Sequence, residues 1–262
     1  MSFLTSSQET KKQITYIVLL CISFSCYFIL NEVFFEKIIR AIYAGIRVEI
    51  ASFFLTYVSI GIPLFLFIYL TMKDKKVFKA LGIGDRFKQG ILVALLFSLP
   101  MLIGFGVLNN FQLTFDLKKI VVGCVFAALF EELYYRGFFF GMLFKKTYLV
   151  FIPSLLIGAL LFASLHLYQS QDTMTLLGIF GITFLRAGFF GWLYIEWNYN
   201  LWVPIGMHFF MNLSWNIYAV SDNALGGYRA NIIRALTIAF AIVGTVYYKK
   251  KNKIPFLIHK KH

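Results

Sequence analysis

The stretch Phe130-Glu131-Glu132-Leu133-Tyr134-Tyr135-Arg136-Gly137 sets two adjacent carboxylates and a guanidinium inside an otherwise apolar segment. A charge at the centre of a bilayer costs at least ~2.5–3.5 kcal/mol on the lenient insertion scales, so an unpaired ionisable group there marks function by default. On a helix Glu132 and Arg136 are i,i+4, share a face and can neutralise one another. Glu131 is turned from that face by about 100° and cannot share the arginine equally. The spacing therefore gives Glu132 and Arg136 a structural role and leaves Glu131 free and desolvated, which suits a general base. The competing reading is a buried Glu-Glu-Arg network that only ties helices together.

Two histidines extend this chemistry. Of the four in the chain, His259 and His262 belong to a basic tail and read as solvated or tag-like. His166 follows Phe162 by four residues on a segment opened by Pro153, a residue that favours a helix start. His208 precedes Asn212 by four, so these side chains project from one helix face. A membrane-buried histidine taken alone is more often an interhelical hydrogen-bonder than a catalyst; its company decides.

The elements that must hold these residues are membrane helices. Of 262 residues 60% are hydrophobic and 14% charged, and the mean hydropathy is +0.75, well outside the range of soluble domains. Apolar runs that approach the ~20 residues a bilayer crossing needs fall near 14–34, 50–72, 90–108, 119–144, 153–170, 174–195, 200–219 and 231–248. The expectation is an all-α polytopic membrane protein of about eight spans with a buried catalytic cavity. Residues 1–262 form a single membrane domain, with scaffold helices over 1–118 and the catalytic core over 119–217. Glu32, near a span end, reads as snorkelling to the interface. At ~1.5 Å per residue Glu131 lies roughly 18 Å from the outer face, His208 roughly 12 Å and His166 roughly 20 Å from the inner face. All three fall near mid-membrane and can converge on one water.

The net charge of +13 points to the membrane surface and not to nucleic acid, because its distribution is one-sided. With eight spans, the connections on the side of the termini sum to +12 and those opposite to +2. The positive-inside rule then puts both termini in the cytoplasm of a multi-pass cell-membrane protein. Cys21, Cys26 and Cys124 fall inside predicted spans and suggest neither disulfides nor a paired-cysteine metal site.

Together the three motifs, Glu131-Glu132 to Arg136, Phe162 to His166 and His208 to Asn212, resemble the CPBP (CAAX protease and bacteriocin-processing, or Abi) intramembrane proteases. The resemblance spans roughly residues 119–217, in the family's order and without departure from its core pattern. It implies that Glu131 and His166 hold and activate the attacking water while His208 and Asn212 stabilise the oxyanion. Paired donors at developing negative charge are worth several kcal/mol. Zinc on Glu131, His166 and His208 is possible and would lower the pKa of bound water to about 7. The His-Glu-x-x-His signature is absent, and the reading favours a metal-free centre.

The implied partners are the lipid bilayer and a membrane-associated peptide or protein substrate, such as a prenylated C-terminus, a bacteriocin precursor or a signalling peptide. The alternative is a non-catalytic bacteriocin self-immunity or regulatory binding protein that keeps the site for capture. Three other features mislead. Gly82-Ile-Gly84-Asp85 mimics an intramembrane aspartyl protease box, but no second aspartate sits inside a span. Asn212-Leu213-Ser214 is a glycosylation sequon at bilayer depth and inert. Arg186 is read as pairing with Glu196 or a lipid phosphate ahead of lining a substrate cavity.

Overall fold

The computed structural model describes residues 6–72 and 74–259, so His262 of the basic tail lies outside the described residues. All regular elements among the described residues are helical. The chain opens with α1 (Ser6–Ile29), a π-helical turn (Leu30–Phe34) and α2 (Phe35–Ile46) in one run. α3 (Glu49–Ile60) and α4 (Ile62–Thr71) follow, bent by 41°. Pro63 in the first turn of α4 has no N–H to continue the ladder. Beside the bend the Tyr134 hydroxyl donates to the Tyr57 carbonyl at 2.7 Å, which also accepts from the Gly61 N–H at 3.2 Å. A Cβ on Gly61 would collide with that hydroxyl, so the bend requires glycine there.

After α5 (Val77–Leu81) and α6 (Phe87–Leu108), residues 119–146 form one continuous run: a π-helical stretch (Lys119–Phe126), α7 (Ala127–Glu131), a second π-helical stretch (Glu132–Phe140) and α8 (Gly141–Lys146). α9 (Phe151–Ser164) begins two residues before Pro153 and is followed by a 3-10 turn (Leu167–Gln169). α10 (Thr173–Glu196) is capped by Asp172, whose carboxylate accepts from the Thr175 N–H at 2.8 Å. α11 (Trp202–Ile217) and α12 (Tyr228–Lys251) complete the bundle.

The all-α, polytopic expectation holds, but the count of eight spans does not follow from length and composition. Five helices are long and apolar enough to cross, or six with the bent α3–α4 pair. The two expected spans outside that set carry two of the three motifs: α11 has only 16 residues, and the 119–146 run is interrupted by Glu131, Glu132 and Arg136. Large apolar side chains such as Ile22, Leu70, Leu92 and Leu185 are exposed on the outside of the bundle, the surface that lipid covers.

Small residues set the helix spacing around the core. Gly90 faces Trp202, and a Cβ on Gly206 would come within 2.5 Å of the Ala94 Cβ, which brings α6 close to α11. Gly137 likewise faces the Leu81 carbonyl and the Leu201 side chain. The connections separate into two groups that match the two sides deduced from charge. Lys145 donates to the Ala80 carbonyl at 2.5 Å, Leu201 N–H to Gly82 O at 3.0 Å, and Arg86 to Asn198 O at 2.8 Å. At the other end Lys118 pairs with Glu49 at 2.6 Å, Thr114 N–H reaches Ile217 O at 2.7 Å, and Gln169 accepts from Ala224 N–H at 2.8 Å.

Lys249, counted by charge with the solvated tail, is instead buried and pairs with the buried carboxylate of Glu196. The same carboxylate accepts from the Leu257 N–H at 3.1 Å and the Ile258 N–H at 2.9 Å, tying the C-terminal segment to the end of α10. Removing one member of a buried pair leaves an uncompensated charge at a cost of about 3–5 kcal/mol. Lys249→Met should lower the thermal midpoint in detergent and expose residues 252–258 to limited proteolysis, and Glu196→Gln added to it should restore part of both.

Candidate active site

The site is built on the 119–146 run. Its two π-helical stretches widen the turns on either side of α7 and alter the register in which side chains leave the helix, a feature that recurs at functional sites. Glu131 and Glu132 meet different surroundings, as the sequence anticipates. The Glu131 side chain is 29% exposed, whereas that of Glu132 is fully buried. Glu132 Oε2 lies 3.3 Å from Arg136 Nε. The buried Arg136 guanidinium packs 4.2 Å from the centroid of Phe162 and 5.9 Å from that of Phe190. Its nitrogens have no directed hydrogen bond to another protein atom, so the charge of Glu132 and the two aromatic faces stabilise it. Phe162 thus has a physical task beyond its place in a motif.

Hydrogen-bond chemistry fixes both histidines. His208 Nδ1 sits 2.8 Å from Glu132 Oε1, and His166 Nδ1 sits 2.8 Å from the Phe162 carbonyl oxygen. A carbonyl accepts only, and Glu132 accepts as a carboxylate, so both Nδ1 atoms donate and both neutral rings keep a lone pair on Nε2. His166 lies just past the end of α9, before the 3-10 turn, and its ring packs 4.8 Å from Phe162.

Arg186 is the correction. It does not pair with Glu196, which lies ten residues further along α10 and is taken by Lys249. Its guanidinium enters the site, with Nη2 3.2 Å from His166 Nε2 and Nη1 3.5 Å from His208 Nε2. Glu131 Oε2 lies 3.9 Å from both Arg186 Nη2 and His208 Nε2. Glu131, Glu132, Arg136, His166 and His208 are therefore brought together. Asn212 is directed elsewhere: its amide donates to the Gly123 carbonyl at 3.0 Å, joining α11 to the first π-helical stretch.

Glu131 and His166 also line one cavity of about 250 Å³, with Tyr27, Tyr57, Tyr135, Phe162 and Tyr168 among its walls and Asn31 and Glu32 at one side. The first helices are thus more than scaffold. The π-helical turn at Leu30–Phe34 carries Asn31 and Glu32 to this cavity, and Asn31 donates to Glu32 at 2.7 Å. Periodicity within one segment gave no signal for these residues, because their approach depends on how α1 and α3 pack. Arg186 did carry a signal, as an ionisable residue in mid-span.

The donors anticipated for zinc have the right chemistry singly: neutral Nε2 lone pairs, each with its other nitrogen held by a carbonyl or carboxylate. Their placement does not fit a divalent cation. Among the described residues no three His, Cys, Asp or Glu side chains group closely enough to hold one, and the Arg186 guanidinium lies where the three would converge.

Neighbouring carboxylates should respond differently to the same substitution. Glu132→Gln strands the fully buried Arg136 charge, and a cost of about 3–5 kcal/mol is expected; Glu131→Gln, at the cavity and in a looser, partly exposed pair with Arg186 at 3.9 Å, should cost clearly less. Thermal unfolding of both variants in one detergent checks the contrast, and equal midpoints would contradict it.

No curated protein and no solved structure matches the chain. A family comparison does: residues 113–214 match the model described as type II CAAX prenyl endopeptidase, Rce1-like. That stretch contains Glu131, Glu132, Arg136, Phe162, His166, Arg186, His208 and Asn212, so the chain is similar to that family over the segment that holds all three motifs.

Proposed function

We propose that this multi-pass membrane protein is an intramembrane endopeptidase that cleaves a membrane-associated peptide with water activated by Glu131 and His166, without a metal. The observation that carries the reading is the pairing of a partly exposed Glu131 with His166 on one aromatic-walled cavity, beside a fully buried Glu132–Arg136 pair. A carboxylate at the cavity takes a proton from water while His166 orients it. The hydroxide adds to the scissile carbonyl, and the proton on Glu131 passes to His208 Nε2, 3.9 Å away in the resting site, as the Arg186 Nη1–H leaves that lone pair. Such hydrogen bonds are often long before substrate binds and tighten afterwards. His208 then carries both protons, keeps Nδ1–H on Glu132, and offers Nε2–H to the oxyanion and next to the departing amine. Asn212 joins the oxyanion by exchanging the Gly123 carbonyl for it. The charge asymmetry supports cytoplasmic termini in the cell membrane. The substrate belongs to the class of a prenylated C-terminus, a bacteriocin precursor or a signalling peptide.

Purified protein in lipid nanodiscs, incubated with synthetic peptides that are either farnesylated at a C-terminal cysteine or carry an apolar leader, tests the reading by mass spectrometry. Wild type should release fragments, and Glu131→Gln should slow release by at least about 10²-fold, the usual range of a general base. Cleavage by Glu131→Gln at the wild-type rate would sink the proposal, and a biological effect that survives this substitution would favour the immunity or regulatory binder.

A further inference from the structure

We propose that Arg186 is the fixed cation of the centre, a positioning residue that holds the two histidine lone pairs and the Glu131 carboxylate around one point. The inference rests on the endopeptidase reading for its catalytic consequence but on geometry for its placement. Arginine has five N–H donors and no acceptor. Its contacts at 3.2 Å to His166 Nε2 and 3.5 Å to His208 Nε2 can only run from guanidinium to imidazole. This agrees with the opposite side of each ring, where Nδ1 donates to the Phe162 carbonyl and to Glu132 at 2.8 Å. Two independent sets of bonds thus specify the same tautomer for both rings.

The charge census strengthens the assignment. Two buried or half-buried carboxylates, Glu131 and Glu132, face two guanidiniums. Arg136 is committed to Glu132 and to the faces of Phe162 and Phe190, which leaves Arg186 to balance Glu131. The Arg186 guanidinium also lies 5.2 Å from the Phe162 centroid, on the ring that carries Arg136. α10 therefore contributes its mid-span charge at the point where a divalent cation would otherwise serve three ligands. A planar, permanently charged fork can hold several acceptors at once, which an ammonium group does less well. When a substrate carbonyl becomes negative, Arg186 Nη1 gives up the His208 Nε2 lone pair that takes the proton, and its charge is already beside the developing oxyanion.

The test uses full-length protein in nanodiscs with the peptides described above. Arg186→Gln should lower kcat by about 10²–10³-fold, the usual loss of one donor at developing charge, with KM changed by less than about threefold. Arg186→Lys, which keeps the charge, should recover at least tenfold of that loss. Nitrogen-15 spectra of the histidine side chains give a readout independent of turnover: His166 and His208 should be Nδ1-protonated in wild type, and their Nε2 resonances should shift in Arg186→Gln while the thermal midpoint stays close to wild type. Wild-type kcat in Arg186→Gln with unmoved histidine resonances overturns the inference. So does wild-type protein that carries one zinc per chain lost on His166→Ala. If wild type cleaves neither peptide but the resonances shift as expected, the endopeptidase reading fails and the placement of Arg186 stands.

Discussion

Everything in this bundle answers to one constraint, the compensation of charge that cannot reach water. Glu132 is fully buried and divides its two oxygens between Arg136 at 3.3 Å and His208 at 2.8 Å. Breaking either contact strands a charge or a ring, and in a low-dielectric interior neither is cheap. Because Arg136 in turn relies on Phe162 from α9 and Phe190 from α10, and His208 comes from α11, a single carboxylate fixes four segments relative to one another. The packed core and the candidate active site are consequently one structure.

The backbone of the 119–146 run shows what such density of function requires. Polar backbone groups freed by irregular turns must find partners inside the bilayer, since lipid offers none. Here side chains from neighbouring helices supply them. Asn212 donates to the Gly123 carbonyl in the first π-helical stretch, and Tyr134 from the second one adds a further donor to the Tyr57 carbonyl, which the Gly61 N–H also reaches. The position of Asn212 illustrates how one residue can serve the fold at rest and remain within the motif that the family resemblance marks for chemistry.

What could be read from the sequence was whatever obeys helical arithmetic within a segment. Glu132 with Arg136, Phe162 with His166, and the divergence of Glu131 from Glu132 all rest on spacings of one or four residues, and those contacts are present. The same arithmetic should have excluded Arg186 with Glu196: ten residues on one helix are about 15 Å apart, too far for an ion pair. Lys249, 53 residues from Glu196 in sequence, lay beyond any local rule. So did the approach of Tyr27, Asn31 and Tyr57 to the cavity, which is set by the π-helical turn in the first run and by the bend at Gly61. That length and composition do not bear out eight spans has a related reason. Hydropathy measures how well a segment suits lipid, and the two motif-bearing segments that miss the criterion are shielded from lipid by the others: residues 132–144 are buried throughout, as is most of the first half of α11.

Cavity size adds a constraint on what can reach Glu131. A helix with its side chains is about 10–12 Å across, and the cavity at Glu131, with a volume of about 250 Å³, is better matched in scale to a single extended chain. On the proposed endopeptidase reading, a peptide reaches Glu131 as extended chain or as a chain end, with its backbone groups exposed. That is also the state in which a peptide bond can be attacked, because in a helix the carbonyl is committed to its own ladder. The aromatic walls, Tyr27, Tyr57, Tyr135 and Tyr168, suit such a guest: each gives an apolar face to a side chain and a hydroxyl for a backbone group that has left its helix. Selection by conformation precedes selection by sequence at this site. On that reading, the unwinding of a membrane segment, or its natural end at the interface, governs which peptides come within reach of Glu131.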